Sequence, residues 1–365
     1  MEKVQERFQI SPFLVFYLVQ SIQFGVGVLG FQRVISKEAG NDAWVVVILS
    51  GLVAQISFWM IFHTLKKSNG KNIVDVHREY FGKWVGHSLT LILVVYYMML
   101  AITVLITYTE IIQVWMFPDL NVWIFTFLFL LLVYYILSGG FRVITGIAFL
   151  GVILPSYLIF TFIFPLQYAN YHNLLPVFHH SPGDLFAGMF KMTLSMLGYE
   201  AILFYYPFIK NPEKSYKWGQ LGIAVTTFLY LIIMLVSIVY YSDAQIEKNI
   251  WATLTLWKIV EMPFVERFEY IGIANWNLII LPNVCIMLWC ASRGLKQIFS
   301  VRHKKTILII LVLSFVILNT FKNREQINML NDLLGQFGFY LTYVYVPVLF
   351  LLSIAIRKIK EKHKG

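Results

Sequence analysis

The sequence predicts an all-α integral membrane protein of ten transmembrane helices, with the first and sixth discontinuous. Three observations carry this prediction. The 365 residues are 59% hydrophobic and only 13% charged, against about a quarter charged in a soluble globular domain. Ten apolar runs approach the roughly 20 residues a helix needs to cross the hydrocarbon core: 11–34, 42–65, 84–116, 121–138, 142–166, 184–209, 216–241, 270–298, 305–321 and 333–356. Two of them carry helix-weakening glycines at corresponding places in the two halves of the chain.

The first run follows Lys3 and Arg7 like a secretory leader, but no small-residue cleavage site comes after it, so it is read as a retained span. At its centre Phe24-Gly25-Val26-Gly27-Val28-Leu29-Gly30 puts three glycines where Leu, Ile and Val would normally build a helix. The third run is unusually long and is expected to tilt or to extend past the bilayer. Late in it Thr107 and Glu110, three apart, share a helix face, so Glu110 is either an interfacial carboxylate or part of a solute path. Pro155, Pro282 and Pro347 fall inside spans, where neighbouring helices or polar side chains satisfy the freed carbonyls.

The sixth run carries Lys191, which either snorkels to the interface or sets a positive charge on a ligand or ion path. Two turns on comes Leu197-Gly198-Tyr199-Glu200. Segment 242–269, between the seventh and eighth runs, mixes apolar residues with Asp243, Glu247, Glu261, Glu266 and Glu269, a composition that suits short helices lying on the membrane face as a lid. The eighth run holds Asn275, Asn277 and Asn283, which are expected to hydrogen-bond across helices. Trp84, Trp115, Trp123, Trp218 and Trp251 stand near span ends as interfacial anchors.

The net charge of +10 is a topology signal. Lys and Arg favour the loops on the side of the termini by roughly three to one, which predicts cytoplasmic N and C termini. No compact basic patch interleaved with aromatics points to nucleic acid. Cys285 and Cys290, inside one run, cannot build a disulfide framework. His179, His180 and Asp184 lack further ligands at a recognisable spacing, so no metal is expected. Without a P-loop, a nucleophile elbow or a metalloprotease helix, the chain reads as a single transmembrane domain over 1–365, without cofactor and not an enzyme.

Interrupted spans at matching positions point to a binding site at the bilayer midplane, where unwound backbone contacts the ligand. Half-helix N-termini suit a carboxylate and free carbonyls suit an ammonium. Gly25, Val26, Gly27 and Gly30 are therefore expected around the carboxylate of a small solute. The Leu197, Gly198 and Tyr199 backbone is expected at its amino group. Glu200, costly at membrane depth by roughly 2.5–3.5 kcal/mol, should either couple to the ligand or bond to freed backbone. The competing use of these glycines is close helix packing.

Ten spans interrupted in the first and sixth divide five plus five, about 11–166 and about 184–356, which resembles the inverted repeat of the amino acid–polyamine–organocation superfamily. The Phe24 to Gly30 stretch, Leu197-Gly198-Tyr199-Glu200-Ala201-Ile202-Leu203-Phe204, and above all Phe264-Val265-Glu266-Arg267-Phe268-Glu269 resemble the B subunit of endospore germinant receptors, over essentially the whole chain. The resemblance implies a multi-pass protein of the spore inner membrane that senses a small nutrient, often an amino acid, and triggers germination beside an A subunit and a lipoprotein C subunit. Glu266, Arg267 and Glu269 are then candidates for docking the loop or a partner. The alternatives are a proton-coupled amino acid transporter, and a scaffold with a degenerate pocket.

Overall fold

A computed structural model describes residues 4–68, 70–261, 263 and 265–362. Lys3 and Phe264, and Lys364 among the basic residues on the side of the termini, lie outside them. Each apolar run becomes a crossing element. The first is α1 (Leu14–Gln23) and α2 (Phe31–Ala39), joined by a 3-10 turn at Val26–Leu29. The second to fifth are α3 (Ala43–Lys67), α4 (Ile73–Trp115), α5 (Val122–Ser138) and α6 (Phe141–Ile153), and α6 tightens into a 3-10 stretch over Leu154–Ile163. Pro155, with no N–H to return to the preceding turn, sits where that tightening begins.

The sixth crossing is α7 (Pro182–Met196) and α8 (Ile202–Tyr205), separated by an extended Leu197, Gly198 and a 3-10 turn at Tyr199–Ala201. The seventh is α9 (Tyr216–Tyr240), followed by two short loop helices, α10 (Asp243–Lys248) and α11 (Ala252–Trp257). The rest are α12 (Phe268–Phe299), α13 (His303–Leu318) and a tenth span of α14 (Arg324–Tyr340) and α15 (Val346–Lys362) through a π turn at Leu341–Tyr345. The length of α4 has a local cause: Gly82, at φ 75° and ψ −179°, breaks it. Ile73–Phe81 is thus a separate helix ahead of a crossing that matches run 84–116.

The α12 helix packs along α4, α1 and α3 pack against α9, and α7 packs against α2 and α3. These contacts bury the broken spans. By contrast α5 and α13 expose Phe127, Leu128, Leu308 and Val312, side chains that a lipid phase would cover. On the side of the termini, Ile10 N–H donates to the Phe208 carbonyl (2.8 Å) and Lys210 N–H to the Ile10 carbonyl (2.9 Å), and the Lys210 ammonium pairs with Glu6. The N-terminal segment is thereby clasped to the end of the sixth span.

The histidine loop has a structural partner. Asp42 accepts the amides of Phe178, His179 and His180 at 2.7, 2.8 and 3.0 Å, and His180 Nδ1 lies 3.0 Å from it. Asp184 closes a capping box with Ser181 at the start of α7.

Candidate functional site

Both interrupted runs are unwound, and their breaks face each other. In the first span the last helical bond is Phe24 N–H to the Gln20 carbonyl (2.9 Å). Gly25 then swings to φ −109°, ψ −145°, so the amides of Gly25, Val26 and Gly27 leave the α1 ladder. In the sixth span Leu197 is extended and Gly198 takes φ 115°, a conformation that disfavours any side chain.

The polar groups released by the breaks are satisfied by long-range side chains. Gln23 Nε2 donates to the Met196 carbonyl at 2.7 Å, tying one break to the other. The Tyr230 hydroxyl lies 3.3 Å from the Gln23 carbonyl and 3.2 Å from the Ser195 carbonyl. Asn283 Nδ2 donates to the Ile22 carbonyl at 2.8 Å. From the loop, Thr253 Oγ1 donates to the Val28 carbonyl (2.8 Å) and itself receives Gln32 Nε2 (2.7 Å).

Between the breaks lies a cavity of about 530 Å³, within the range of small-molecule sites. Five buried atoms on residues lining it have no hydrogen-bond partner among the described residues: Gln23 Oε1, Thr103 Oγ1, Thr107 Oγ1, Asn283 Oδ1 and Asn331 Oδ1. At its rim Arg33, Lys37, Lys191 and Arg324 outnumber Glu38 and Asp332. These residues belong to the portions of the first, sixth and tenth spans remote from the termini, and the clasp lies on the opposite side.

Of the residues singled out from sequence, Gly25, Val26, Gly27, Gly30, Leu197, Lys191 and Thr107 line this cavity. A Cβ on Gly27 would stand 2.8 Å from Ser195 Oγ, and one on Gly25 2.7 Å from Asn283 Nδ2. Gly30 has a packing duty as well, since a Cβ there would stand 2.4 Å from the Ile250 carbonyl of the loop.

Gly198, Tyr199 and Glu200 are outside the lining. Glu200, 1% exposed, accepts the Gly198 N–H at 2.7 Å and the Tyr96 hydroxyl at 2.8 Å. Its carboxylate caps the start of the turn after the break. Tyr199 points to Thr342, 3.4 Å away. Glu110 is paired with Arg324 and reaches the cavity only through that partner. On the loop, Arg267 Nε donates to Glu269 at 2.9 Å, Arg267 lies over the Tyr270 ring and Glu266 is exposed.

Gln23, Thr103 and Asn283 escaped the sequence reading as site residues. Gln23 had a signal, a polar residue directly before a glycine break. The sequence predicts only a helix-to-helix hydrogen bond for Asn283; its amide nitrogen makes one and its carbonyl oxygen does not.

A family model described as spore germination protein matches residues 9–327. The chain is 42% identical over 361 residues to the spore germination protein GerQB of Bacillus cereus, covering 99% of this chain and 100% of that protein. It is 22% identical over 370 residues to spore germination protein A2 of Bacillus subtilis (strain 168), covering 98% and 99%. A Na+-coupled sialic acid symporter in a substrate-bound outward-open state matches with a TM-score of 0.69 at 13% identity, over 97% of this chain and 80% of the symporter. At that identity the likeness concerns fold, and the fold is the ten-helix inverted-repeat transporter architecture.

Proposed function

This chain belongs to the spore germination protein family, and from that premise we propose that it is the transporter-like B subunit of a germinant receptor, holding a small zwitterionic nutrient such as an α-amino acid between its two unwound stretches. The observation that carries the reading is the cavity's division of labour. Freed amides at Gly25, Val26 and Gly27, with Lys191 at the rim, suit a carboxylate. The unpartnered oxygens of Gln23, Thr103, Thr107 and Asn283 suit an ammonium. In this reading the amino group lies nearer to Gln23 than to the Leu197–Tyr199 backbone.

Binding can drive a response only as far as the nutrient favours one conformation over another. The 242–269 loop is the element to bias, because Thr253 and the Ile250 carbonyl rest on the broken first span. Arg324 offers a second coupling, since it faces the cavity while paired with Glu110. In this reading the protein sits in the spore inner membrane with cytoplasmic termini, beside an A subunit and a lipoprotein C subunit. Glu266, Arg267 and Glu269 form a docking edge for the loop or a partner.

The test has two parts. Spores lacking the chain are screened across amino acids, sugars and nucleosides, and loss of response to one amino acid is expected. The purified chain in vesicles should then bind that amino acid saturably without uptake. Uptake with a proton would favour the transporter alternative, and absence of binding to every nutrient would leave a scaffold.

A further inference from the structure

A second cavity, of about 210 Å³, lies on the other side of the first span's break. The same short stretch of backbone divides the two: Gln23 and Gly25 line the first cavity, and Phe24 between them lines the second. The second is walled by α1, the fifth span, α9 and α12, and Trp257 from the loop caps it. Its lining contains no charged side chain.

Three of its lining residues are polar, buried and unpartnered. Gln20 Oε1, Ser21 Oγ and Trp276 Nε1 make no hydrogen bond among the described residues, and their side chains are 5%, 2% and 2% exposed. They supply an acceptor, a hydroxyl and a donor inside an otherwise apolar space, an arrangement that costs stability unless something answers it. Val152 and Ile159 on the fifth span and Val225 and Leu229 on α9 are half-buried, and Ser156 is exposed. That seam faces the hydrocarbon.

We infer that this cavity is a site for a small neutral amphiphile, an aryl or short alkyl group ending in a hydroxyl, that enters laterally from the bilayer. The hydroxyl both donates and accepts, as Gln20 Oε1 and Trp276 Nε1 require. A carboxylate or ammonium head is excluded by the uncharged walls, where an unpaired ion is far too costly. Size fits as well: an apolar cavity of about 150 Å³ holds benzene, so 210 Å³ holds a ring with one short polar arm. The inference is independent of the nutrient reading, because it uses neither the first cavity nor its lining side chains.

The experiment uses the full-length chain in nanodiscs and 19F NMR of 4-fluorobenzyl alcohol, with empty nanodiscs correcting for partition into lipid. Saturable binding is expected. Val225→Phe, which fills the cavity from α9, should abolish it, while Lys191→Ala in the first cavity should not change it. Trp276→Phe, which keeps the wall and removes the donor, should weaken the alcohol roughly fivefold, the worth of one net hydrogen bond, and leave 4-fluorotoluene unchanged. Ser21→Ala serves as a second mild variant should Val225→Phe fail to purify as a folded monodisperse protein, and it too should weaken only the alcohol. Binding that survives Val225→Phe, equal binding of alcohol and fluorotoluene, or no saturable binding at all would overturn the assignment.

Discussion

Replacing Glu200 tests whether the sixth span stays open through a side-chain cap. The carboxylate takes two donors that the break leaves in a waterless interior, the Gly198 N–H at 2.7 Å and the Tyr96 hydroxyl at 2.8 Å. Glu200→Ala strands both. A buried donor left unmet costs roughly 1–3 kcal/mol, so the pair should cost roughly 2–6 kcal/mol. Glu200→Gln keeps an oxygen for Gly198, and its NH2 can donate to the Tyr96 oxygen once that hydroxyl turns. Its cost should be at most about 2 kcal/mol, the difference between charge-assisted and neutral bonds. Thermal unfolding of the purified protein in detergent should therefore rank wild type above Gln and Gln well above Ala, with Tyr96→Phe close to Gln. If Gln is as damaging as Ala, or if Ala leaves stability unchanged, the capping argument is wrong. If Gln leaves stability intact but abolishes nutrient binding, the carboxylate belongs to the ligand pathway instead.

Gly27→Leu should weaken nutrient binding by roughly tenfold or more while the protein still accumulates, because overpacking a tight site costs about 1–3 kcal/mol and Ser195 Oγ already stands 2.8 Å from the position of a Cβ; a normal isotherm would refute the placement of the break beside the ligand. Lys191 is exposed, so Lys191→Ala should weaken a carboxylated ligand by no more than about fivefold, in keeping with roughly 1 kcal/mol for a solvated charge pair. The effect should fade at high salt and be missing for the carboxamide analogue, and equal weakening of both ligands would remove Lys191 from carboxylate recognition. At the clasp, the hydrogen bond from Lys210, helped by its charge, holds the Glu6 carboxyl below the ordinary 4.5. A carboxyl depressed on folding contributes above its unfolded value and is lost as pH falls through its folded value. Hydrogen-exchange protection of the Ile10 and Lys210 amides, corrected for intrinsic rates, should hold from neutral pH down to about the ordinary 4.5 and decline below it, whereas Glu6→Gln should give a lower protection without the decline.

Much of this architecture is written locally. Hydrocarbon leaves a chain no choice but to satisfy its backbone within each crossing, so run length and composition fixed the ten spans, and the glycines at 25, 27, 30 and 198 marked where two of them come apart. What the linear order withheld is which freed group meets which partner. Glu200 was visible as an anomaly, yet only tertiary packing brings the Tyr96 hydroxyl, 104 residues away, to its carboxylate. Gln23 stood before a glycine break in the sequence, but only α7 brought the Met196 carbonyl to it, and Glu110 became half of a pair only when α14 delivered Arg324. The second cavity, made where four crossings and a loop leave a gap, has no sequence signature at all. Periodicity and hydropathy act over a few turns of one helix and so can be read in line. Hydrogen-bond partnership and empty volume belong to surfaces that meet only when the bundle closes, and tertiary structure alone decided those.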